Sequence, residues 1–371
     1  MGRSRKRLPD IPFELEIDAL DSKGLGLAMH GERQLHVYDA LPGEKVLARY
    51  LFGRSQRGKA ETLEVLDSSE DRVQARCPHF GVCGACSLQH MSIEAQLARK
   101  QSVLLDALQE TGRVTPAMVY PPLTGPQWNY RRKARLSVRD VAAKDRVLVG
   151  FRERNGRFVA DMGECHILRA EIADALPAIS NLIKTLDCRA TIPQIEIACG
   201  DRQGVLIIRH LEDLMDGDRE RLRSFAVDSG LAIYLQPAGP DSVQLLEPED
   251  LQLEYAIDSL GLRLQFEPLD FIQVNGGLNQ LMVERALALL DPQPQDTMLD
   301  LFCGLGNFTL PLARRAGQVT GIEGDPGLVA RARDNALHNG IANVAFHAAN
   351  LYEPLQHQAW LQQRFGLSLI H

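Results

Sequence analysis

The sequence lacks any hydrophobic run long enough to cross a membrane, which takes about 20 consecutive apolar residues. Its basic first residues are not followed by the apolar segment of a signal peptide. Lys6 stands where a myristoylation signal requires Ser or Thr. These absences predict a cytoplasmic protein without a membrane partner. In that reducing compartment, the seven cysteines are expected to be free thiols or metal ligands.

Negative charge exceeds positive charge in the chain as a whole, with 48 Asp and Glu against 41 Lys and Arg. The 371 residues carry a formal net charge of −7, which excludes a uniformly basic nucleic-acid binder and restricts any contact with RNA to a local surface. The hydrophobic content of 45% is sufficient for sizeable cores. The length predicts two or three domains.

A third glycine is missing from the most informative stretch of the chain. An apolar run at 298–302, typical of a buried strand, leads into Cys-Gly-Leu-Gly-Asn at 303–307, then a helical pattern and a second strand that ends at Glu323. This order indicates a dinucleotide-type unit, in which the acid binds a ribose. Because a nicotinamide-binding turn has the third glycine, the smaller adenosine cofactor S-adenosylmethionine fits better. The alternative is an ordinary strand–helix turn without a ligand.

Further amides lie near this unit in the sequence. Asn350 follows a third strand predicted at 344–348, so we expect it beside Glu323 at the carboxyl edge of the sheet. Gln273 and Asn275 precede a predicted helix at 277–290, where they either line the cofactor pocket or cap the helix. A fourth strand is predicted at 367–370.

The strongest chemical signal is the block Cys-Pro-His-Phe-Gly-Val-Cys-Gly-Ala-Cys at 77–86. Its three thiols are Cys77, Cys83 and Cys86. Three closely spaced sulfur ligands favour zinc or an iron–sulfur cluster, and the spacing leaves both open. Cys165 is the best candidate for a fourth ligand, because Cys188 and Cys199 have the surroundings of core thiols.

The N-terminal region predicts one surface for RNA. Short alternating strands separated by glycine turns at 13–71 are typical of a small β-barrel of the oligonucleotide-binding kind. One loop carries the cations Arg49, Arg54, Arg57 and Lys59. They suit either a phosphate backbone or a solubilising loop, and the basic tail at residues 3–7 has the same two interpretations.

A second basic stretch follows at 129–157, where ten cations and three anions give a local charge of +7 (10 − 3). Aromatic residues are interleaved, as in surfaces that pair phosphate contacts with base stacking. The candidate RNA contacts are Arg131, Arg132, Lys133 and Arg135. The alternative is a set of charged hairpin faces. An amphipathic helix is predicted at 92–111, and residues 170–262 indicate an α+β domain, with one helix at 172–186.

Taken together, these motifs resemble the bacterial 23S rRNA (uracil-C5)-methyltransferases of the RlmD/RumA type over essentially the whole chain. The matching segments are Ala-Leu-Pro-Gly-Glu at 40–44, the cysteine block at 77–86, Tyr-Arg-Arg-Lys-Ala-Arg at 130–135, Phe-Ile-Gln-Val-Asn at 271–275 and Asp-Leu-Phe-Cys-Gly-Leu-Gly-Asn-Phe at 300–308. Relatives that modify tRNA lack both the cysteine block and the N-terminal barrel. The presence of both makes the resemblance specific.

The resemblance implies a multidomain α/β protein whose partner is 23S rRNA, and it implies a monomer without a protein partner. The implied domains are an OB-like, RNA-binding TRAM β-barrel at 1–73, a central α+β domain at 74–92 and 127–268, and a Rossmann-like methyltransferase domain at 93–126 and 269–371. The implied [4Fe-4S] ligands are Cys77, Cys83, Cys86 and Cys165. The implied S-adenosylmethionine contacts are Gln273, Phe302, Asn307, Glu323 and Asn350.

The same resemblance raises an expectation about catalysis. In the family, a nucleophilic cysteine in a Ser-Cys-Asn-Pro segment and a glutamate base lie beyond the fourth strand, whereas this sequence ends at His371. We therefore expect no catalytic residue within the chain, a truncated methyltransferase domain and an open sheet edge at the fourth strand. The alternative function is a non-catalytic RNA-binding protein that keeps the barrel and the cluster.

Overall fold

The computed structural model describes residues 11–51, 58–154, 156–354, 358–362 and 365–370. The basic tail at 3–7, Arg54, Arg57 and His371 lie outside this range. The chain divides into two compact units. The first comprises Met1–Pro122 and Val149–Met162, and the second comprises Leu123–Leu148 and Gly163–His371.

The first unit contains a six-stranded mixed sheet, here called the N-terminal sheet. Its strands are β1 (Phe13–Glu16), β2 (Ala19–Leu20), β3 (Gly26–His30), β4 (Arg33–Tyr38), β5 (Lys45–Tyr50) and β6 (Lys59–Asp67), in the order β1-β5-β6-β4-β3-β2. Alternate residues such as Leu15, Val46 and Ala48 point into one apolar core. The predicted short strands are confirmed, because the period-two pattern buries one face.

Helix α1 (Ile93–Glu110) follows in the first unit. The hydroxyl of Ser92 accepts a hydrogen bond from the Ala95 N–H at 3.3 Å and so caps the helix, which was predicted at 92–111. Between β6 and α1, the segment at 68–92 forms turns and isolated bridges rather than regular strands. The cysteine block lies in this segment.

The second unit contains a mixed sheet in the order β12-β11-β10-β9-β7-β8. Its elements are β7 (Lys133–Val141), β8 (Arg146–Gly150, in which the unit boundary falls), α2 (Ala170–Ala173), α3 (Leu176–Thr185), β9 (Gln194–Cys199), β10 (Gly204–Arg209), α4 (Asp216–Ser229), β11 (Ala232–Gln236) and β12 (Gln244–Glu247). The single helix predicted at 172–186 is wrong. Two helices form instead, because Pro177 has no N–H with which to continue the first.

A hairpin and a parallel sheet complete the second unit. Their elements are β13 (Leu253–Ile257), β14 (Leu262–Phe266), α5 (Gly276–Leu290), β15 (Thr297–Leu301), α6 (Thr309–Ala313), β16 (Gln318–Glu323), α7 (Pro326–His338), β17 (Val344–Ala348) and β18 (Leu367–Ile370). The parallel order is β17-β16-β15-β18, so the predicted third and fourth strands are confirmed. None of the helices within the described ranges combines the length and apolarity that a membrane crossing requires.

Candidate functional site at the carboxyl edge of the parallel sheet

The glycine loop, residues 302–308, connects β15 to α6. Phe302, Gly304 and Gly306 have φ angles of +62°, +55° and +98°, the left-handed region in which glycine is at ease and phenylalanine is not. The Cys303 N–H donates to the carbonyl of Ile322 at 3.0 Å, which attaches the loop to β16. The loop is therefore held above the carboxyl ends of the two central strands, the usual ligand position in such sheets.

Glu323 ends β16 and binds the glycine loop directly. One carboxylate oxygen, Oε2, accepts a hydrogen bond from the Gly304 N–H at 3.0 Å. The other, Oε1, accepts from the N–H groups of Gly324 at 2.6 Å and Asp325 at 3.2 Å. A carboxylate has about four acceptor positions, so Oε2 can still accept a hydroxyl group. The structure thus joins the predicted acid and the predicted glycine turn.

Asn307 is fixed by a pair of side chains that the sequence did not reveal. Its Oδ1 accepts hydrogen bonds from Asn279 Nδ2 and from the Tyr255 hydroxyl, each at 2.9 Å, while its Nδ2 donates to Asn279 Oδ1 at 2.9 Å. Asn279 is on α5 and Tyr255 is on β13, and both are buried. No motif marks either residue, since each lies inside an ordinary helical or strand pattern.

Asp300, near the end of β15, is hydrogen-bonded to the first residue of α6. Its carboxylate accepts a hydrogen bond from the Thr309 hydroxyl at 2.6 Å, and both residues are fully buried. The bond links the end of β15 to the first turn of α6. It therefore sets the geometry of the loop between them.

Asn350 lies just after β17, with its backbone adjacent to the end of β16. The Ala349 N–H donates to the Glu323 carbonyl at 2.9 Å. The side chain of Asn350 accepts from the Tyr352 N–H at 3.1 Å and donates to Glu353 at 2.8 Å. Tyr352 is 90% exposed, and its ring centroid lies 6.0 Å from that of Phe302. The structure thus brings Phe302, Glu323 and Asn350 to one edge.

The two amides before α5 have different positions. Asn275 caps the helix by accepting from the Leu278 N–H at 3.0 Å, and its Nδ2 donates to the Pro126 carbonyl at 3.0 Å. Of the two interpretations, capping is the one observed for Asn275. Gln273 is half-buried, and within the described residues no hydrogen bond links it to the glycine loop.

Cys303 is buried between the loop and the sheet. Burial, together with the nearby carboxylates of Asp300 and Glu323, raises the pKa of its thiol far above the ordinary value. A Cβ on Gly321 of β16 would lie 3.0 Å from the sulfur, so the thiol packs against the bare backbone of that strand. A neutral, enclosed thiol of this kind is a poor nucleophile.

The four candidate RNA contacts differ in exposure. Arg132 is 12% exposed and pairs with Asp201 at 2.6 Å. Lys133 is half-buried and donates to the Pro268 carbonyl, and burial lowers its pKa to about 8. Arg131 donates from Nε to the Lys133 carbonyl at 3.0 Å. Arg135 is 67% exposed, with an ion pair to Glu196 at 2.9 Å. Arg135 is therefore the most accessible of the four to a phosphate.

The comparisons with known proteins decide the family. The family model described as tRNA (Uracil-5-)-methyltransferase matches residues 95–358. A protein of Alkalilimnicola ehrlichii named 23S rRNA (uracil(1939)-C(5))-methyltransferase RlmD is 48% identical over 371 residues, which is 100% of this chain and 83% of the relative. The chain belongs to this RNA uracil-C5 methyltransferase family. A relative of the same name from Stenotrophomonas maltophilia is 46% identical and is covered to 84% of its length.

The methyltransferase also shares its fold with a solved structure. The Pyrococcus abyssi tRNA (uracil-54, C5)-methyltransferase, crystallised in complex with S-adenosyl-L-homocysteine, superimposes with a TM-score of 0.67. At 18% identity, the match covers 92% of this chain and 81% of the other. This likeness establishes that the two proteins share one fold.

The seven cysteines of this methyltransferase include the four candidate metal ligands. None of the seven forms a disulfide, and all lie within the described residues. Cys83 and Cys165 are buried, and Cys77 and Cys86 are half-buried. In the part of the chain that the structure describes, no group of three or more His, Cys, Asp or Glu residues is arranged to hold a metal ion. The chemistry of the four thiols fits a soft metal, whereas a preformed cage is not observed.

Proposed function

We propose that this chain serves the transfer of a methyl group from S-adenosylmethionine to C5 of a uracil in 23S rRNA, by binding the methyl donor and the RNA, and that the nucleophilic thiolate of the reaction is none of its seven cysteines. The observation that carries the proposal is the glycine loop bound to Glu323, in a chain that is 48% identical over its whole length to a protein named for this reaction. Ribosomal RNA is made in the cytoplasm, and we propose that location for the enzyme.

We assign the cofactor to the carboxyl edge of the parallel sheet. Glu323 Oε2 accepts a ribose hydroxyl, since one of its acceptor positions is open. Asn307 offers the second N–H of its amide, because the first is bonded to Asn279. Phe302 supplies an apolar face for the adenine. Gln273 and Asn350 complete the proposed site.

The reaction needs a thiolate in addition to the methyl donor. C5 of uracil is a weak nucleophile, and addition of a thiolate to C6 makes it electron-rich enough to take the methyl group from the sulfonium. A base then removes the C5 proton and the thiolate leaves. The target base must be unstacked to reach the donor. Cys303 does not serve as this thiolate, because burial raises its pKa, and we assign it to the wall of the cofactor site.

We assign RNA binding to two parts of the chain. The N-terminal sheet is proposed to be the TRAM barrel of residues 1–73, and β7 is proposed to present Arg135 to phosphate. Arg131, Arg132 and Lys133 make internal contacts, so they hold β7 in shape beneath that surface. The proposed division into a central domain (74–92 and 127–268) and a methyltransferase domain (93–126 and 269–371) follows the family.

We also propose that Cys77, Cys83, Cys86 and Cys165 hold a [4Fe-4S] cluster. The support is the thiol donor set, three members of which, Cys77, Cys83 and Cys86, have x5 and x2 spacing in one irregular segment. A cluster there gives the segment a fixed shape. Anaerobically purified protein should contain iron and sulfide and should absorb visible light. Cys83→Ala should lose the iron, the sulfide and this absorption. Cys188→Ala is the matched control and should keep them. Iron-free parent protein would refute the assignment.

The substrate is tested in the source organism. Deletion of the gene should remove one 5-methyluridine from 23S rRNA, measured by nuclease digestion and mass spectrometry. The wild-type gene should restore it, and the Glu323→Ala gene should not. Loss of the modification from tRNA instead would move the substrate to tRNA. No change in either RNA would favour a non-catalytic RNA-binding protein.

A further inference from the structure

The backbone around Cys83 is held by a second strand-like segment in the first unit. The Gly84 N–H donates to the Arg152 carbonyl at 2.9 Å, and the Arg154 N–H donates to the Val82 carbonyl at 3.0 Å. Cys83 itself forms an antiparallel bridge with Glu153. A Cβ on Gly84 would come within 2.9 Å of the Arg152 carbonyl, so the two backbones are in close contact. The position of Cys83 therefore follows that of residues 152–154.

Residues 152–154 are in turn fixed by the loop after β4. The Arg154 guanidinium donates two hydrogen bonds to Asp39, at 2.6 Å to Oδ1 and 2.5 Å to Oδ2. The same guanidinium lies 4.7 Å from the ring centroid of Tyr38. Arg154 is 17% exposed and Asp39 is 25% exposed. A two-point ion pair of this kind fixes orientation as well as distance.

The loop after β4 holds the other end of the cysteine segment by a second ion pair. Glu44 is fully buried and accepts from Arg72 Nε at 2.5 Å and from the second guanidinium nitrogen at 2.7 Å. Arg72 also donates to the Asp39 carbonyl at 2.7 Å. The backbone of Arg72 bridges to Met91, which closes the segment at 72–91 at its base. The loop at residues 39–44, here called the clamp loop, thus holds the cysteine segment on two sides.

We infer that the clamp loop positions the cysteine segment for its metal, with Asp39 and Glu44 as positioning residues that do not touch the metal themselves. The inference rests on the cluster assignment proposed above. It gives the N-terminal sheet a role besides RNA contact: the sheet supports the sulfur ligands. Residues that orient metal ligands commonly affect metal retention by about 10- to 100-fold when they are changed.

Asp39→Asn is the most selective test. Asparagine has the shape of aspartate and also tolerates the left-handed φ of +59° at this position. It replaces one acceptor oxygen with a donor and removes the charge, so the two-point contact with Arg154 is lost. Iron should leave this variant about 10-fold faster than it leaves the parent when a ferrous chelator is added.

The matched control is Glu61→Gln. Glu61 is a partly exposed carboxylate on β6 that accepts two hydrogen bonds from Arg49, at 2.6 Å and 3.2 Å, away from the clamp loop. Its iron release should equal that of the parent. Arg154→Lys, which keeps the charge but not the fork, should release iron faster, and the double variant Asp39→Asn/Arg154→Lys should add little to the worse single variant.

The outcomes separate the two proposals. Faster iron release in Asp39→Asn with an unchanged melting temperature supports the inference. Equal release in parent, Asp39→Asn and Arg154→Lys overturns the inference and leaves the cluster assignment standing. A parent protein that binds no iron overturns both. If Asp39→Asn lowers the melting temperature as well, faster release from Arg154→Lys at an unchanged melting temperature supports the inference, and parent-like release overturns it.

Discussion

Asn307 and Asn279 donate to one another at 2.9 Å in both directions, a closed pair of amide hydrogen bonds between the glycine loop and α5. The pair ties the loop to a helix that begins 31 residues earlier (307 − 276) in the sequence. The proposed cofactor contact therefore depends on a residue that does not itself approach the cofactor edge.

Removal of the partner should weaken cofactor binding. Asn279→Ala leaves the half-buried amide of Asn307 without one donor and one acceptor, which costs about 1–3 kcal/mol. We expect a lower melting temperature and an S-adenosylmethionine Kd raised about tenfold, equivalent to 1.4 kcal/mol, by isothermal titration calorimetry. Gln280→Ala, at the next position of α5, should leave the Kd unchanged. An unaltered Kd in Asn279→Ala would contradict this role.

Substitution of the partly exposed Glu323 should weaken cofactor binding strongly. Its two oxygens accept from three backbone N–H groups, and the amide of Glu323→Gln turns one acceptor into a donor that opposes them. We expect binding of S-adenosylhomocysteine to weaken by about tenfold or more. Glu284→Gln, an exposed carboxylate on α5, is the control. Equal affinities for parent and Glu323→Gln would show that the acid does not face the cofactor.

Cys303 should behave as an inert wall residue. Because burial raises the pKa of its thiol, iodoacetamide at pH 8 should leave Cys303 unmodified in the folded protein and modify it after unfolding, as read by peptide mass spectrometry. Cys303→Ala should retain cofactor binding. Rapid labelling of the folded protein would indicate a reactive thiolate instead.

His90 should make the first unit sensitive to acid. It is 3% exposed, both of its ring nitrogens lack a hydrogen-bond partner among the described residues, and burial lowers its pKa to about 4. The charged groups around it are Arg72, Arg154, Asp39 and Glu44. Below its unfolded pKa of 6.5, the unfolded state binds the proton more readily, so the free energy of unfolding falls as the pH drops from 6.5 to about 4.

The variant His90→Leu should abolish that component. We expect it to flatten the pH profile of stability between 6.5 and 4, where the parent loses up to about 3 kcal/mol. Chemical denaturation at several pH values measures the difference. His30→Leu, at a half-buried histidine bonded to Tyr50 in the same unit, is the comparison. A parent-like profile in His90→Leu would assign the acid sensitivity to other groups.

The parallel sheet was predictable because its signals are local. Each strand is a short apolar run, each turn has its glycine or capping residue, and the acid at Glu323 stands at a strand end. The observed order β17-β16-β15-β18 is consistent with the right-handed crossovers that such units adopt. The sequence left two roles open for Asn275, capping α5 or lining the cofactor pocket. Only the hydrogen bond from the Leu278 N–H in the structure distinguishes the two roles.

What the sequence could not predict is contact between distant segments. Tyr255 and Asn279 support the glycine loop across 52 and 28 residues, and neither stands in a motif. Arg132 and Lys133 looked like RNA contacts by charge alone, whereas their nearest partners are Asp201 and Pro268. Charge patterns give the sign of a surface, but burial decides which cations reach it.

The contact between Cys303 and Gly321 makes two positions in neighbouring elements interdependent. A methyl group at position 321 would meet the sulfur at 3.0 Å and the Phe346 ring at 2.7 Å. It would displace both the loop and the Phe346 ring unless positions 303 and 346 became smaller at the same time. Homologous sequences are therefore expected to vary position 321 in concert with these two, and a library randomised at all three should recover only combinations whose summed volume is small.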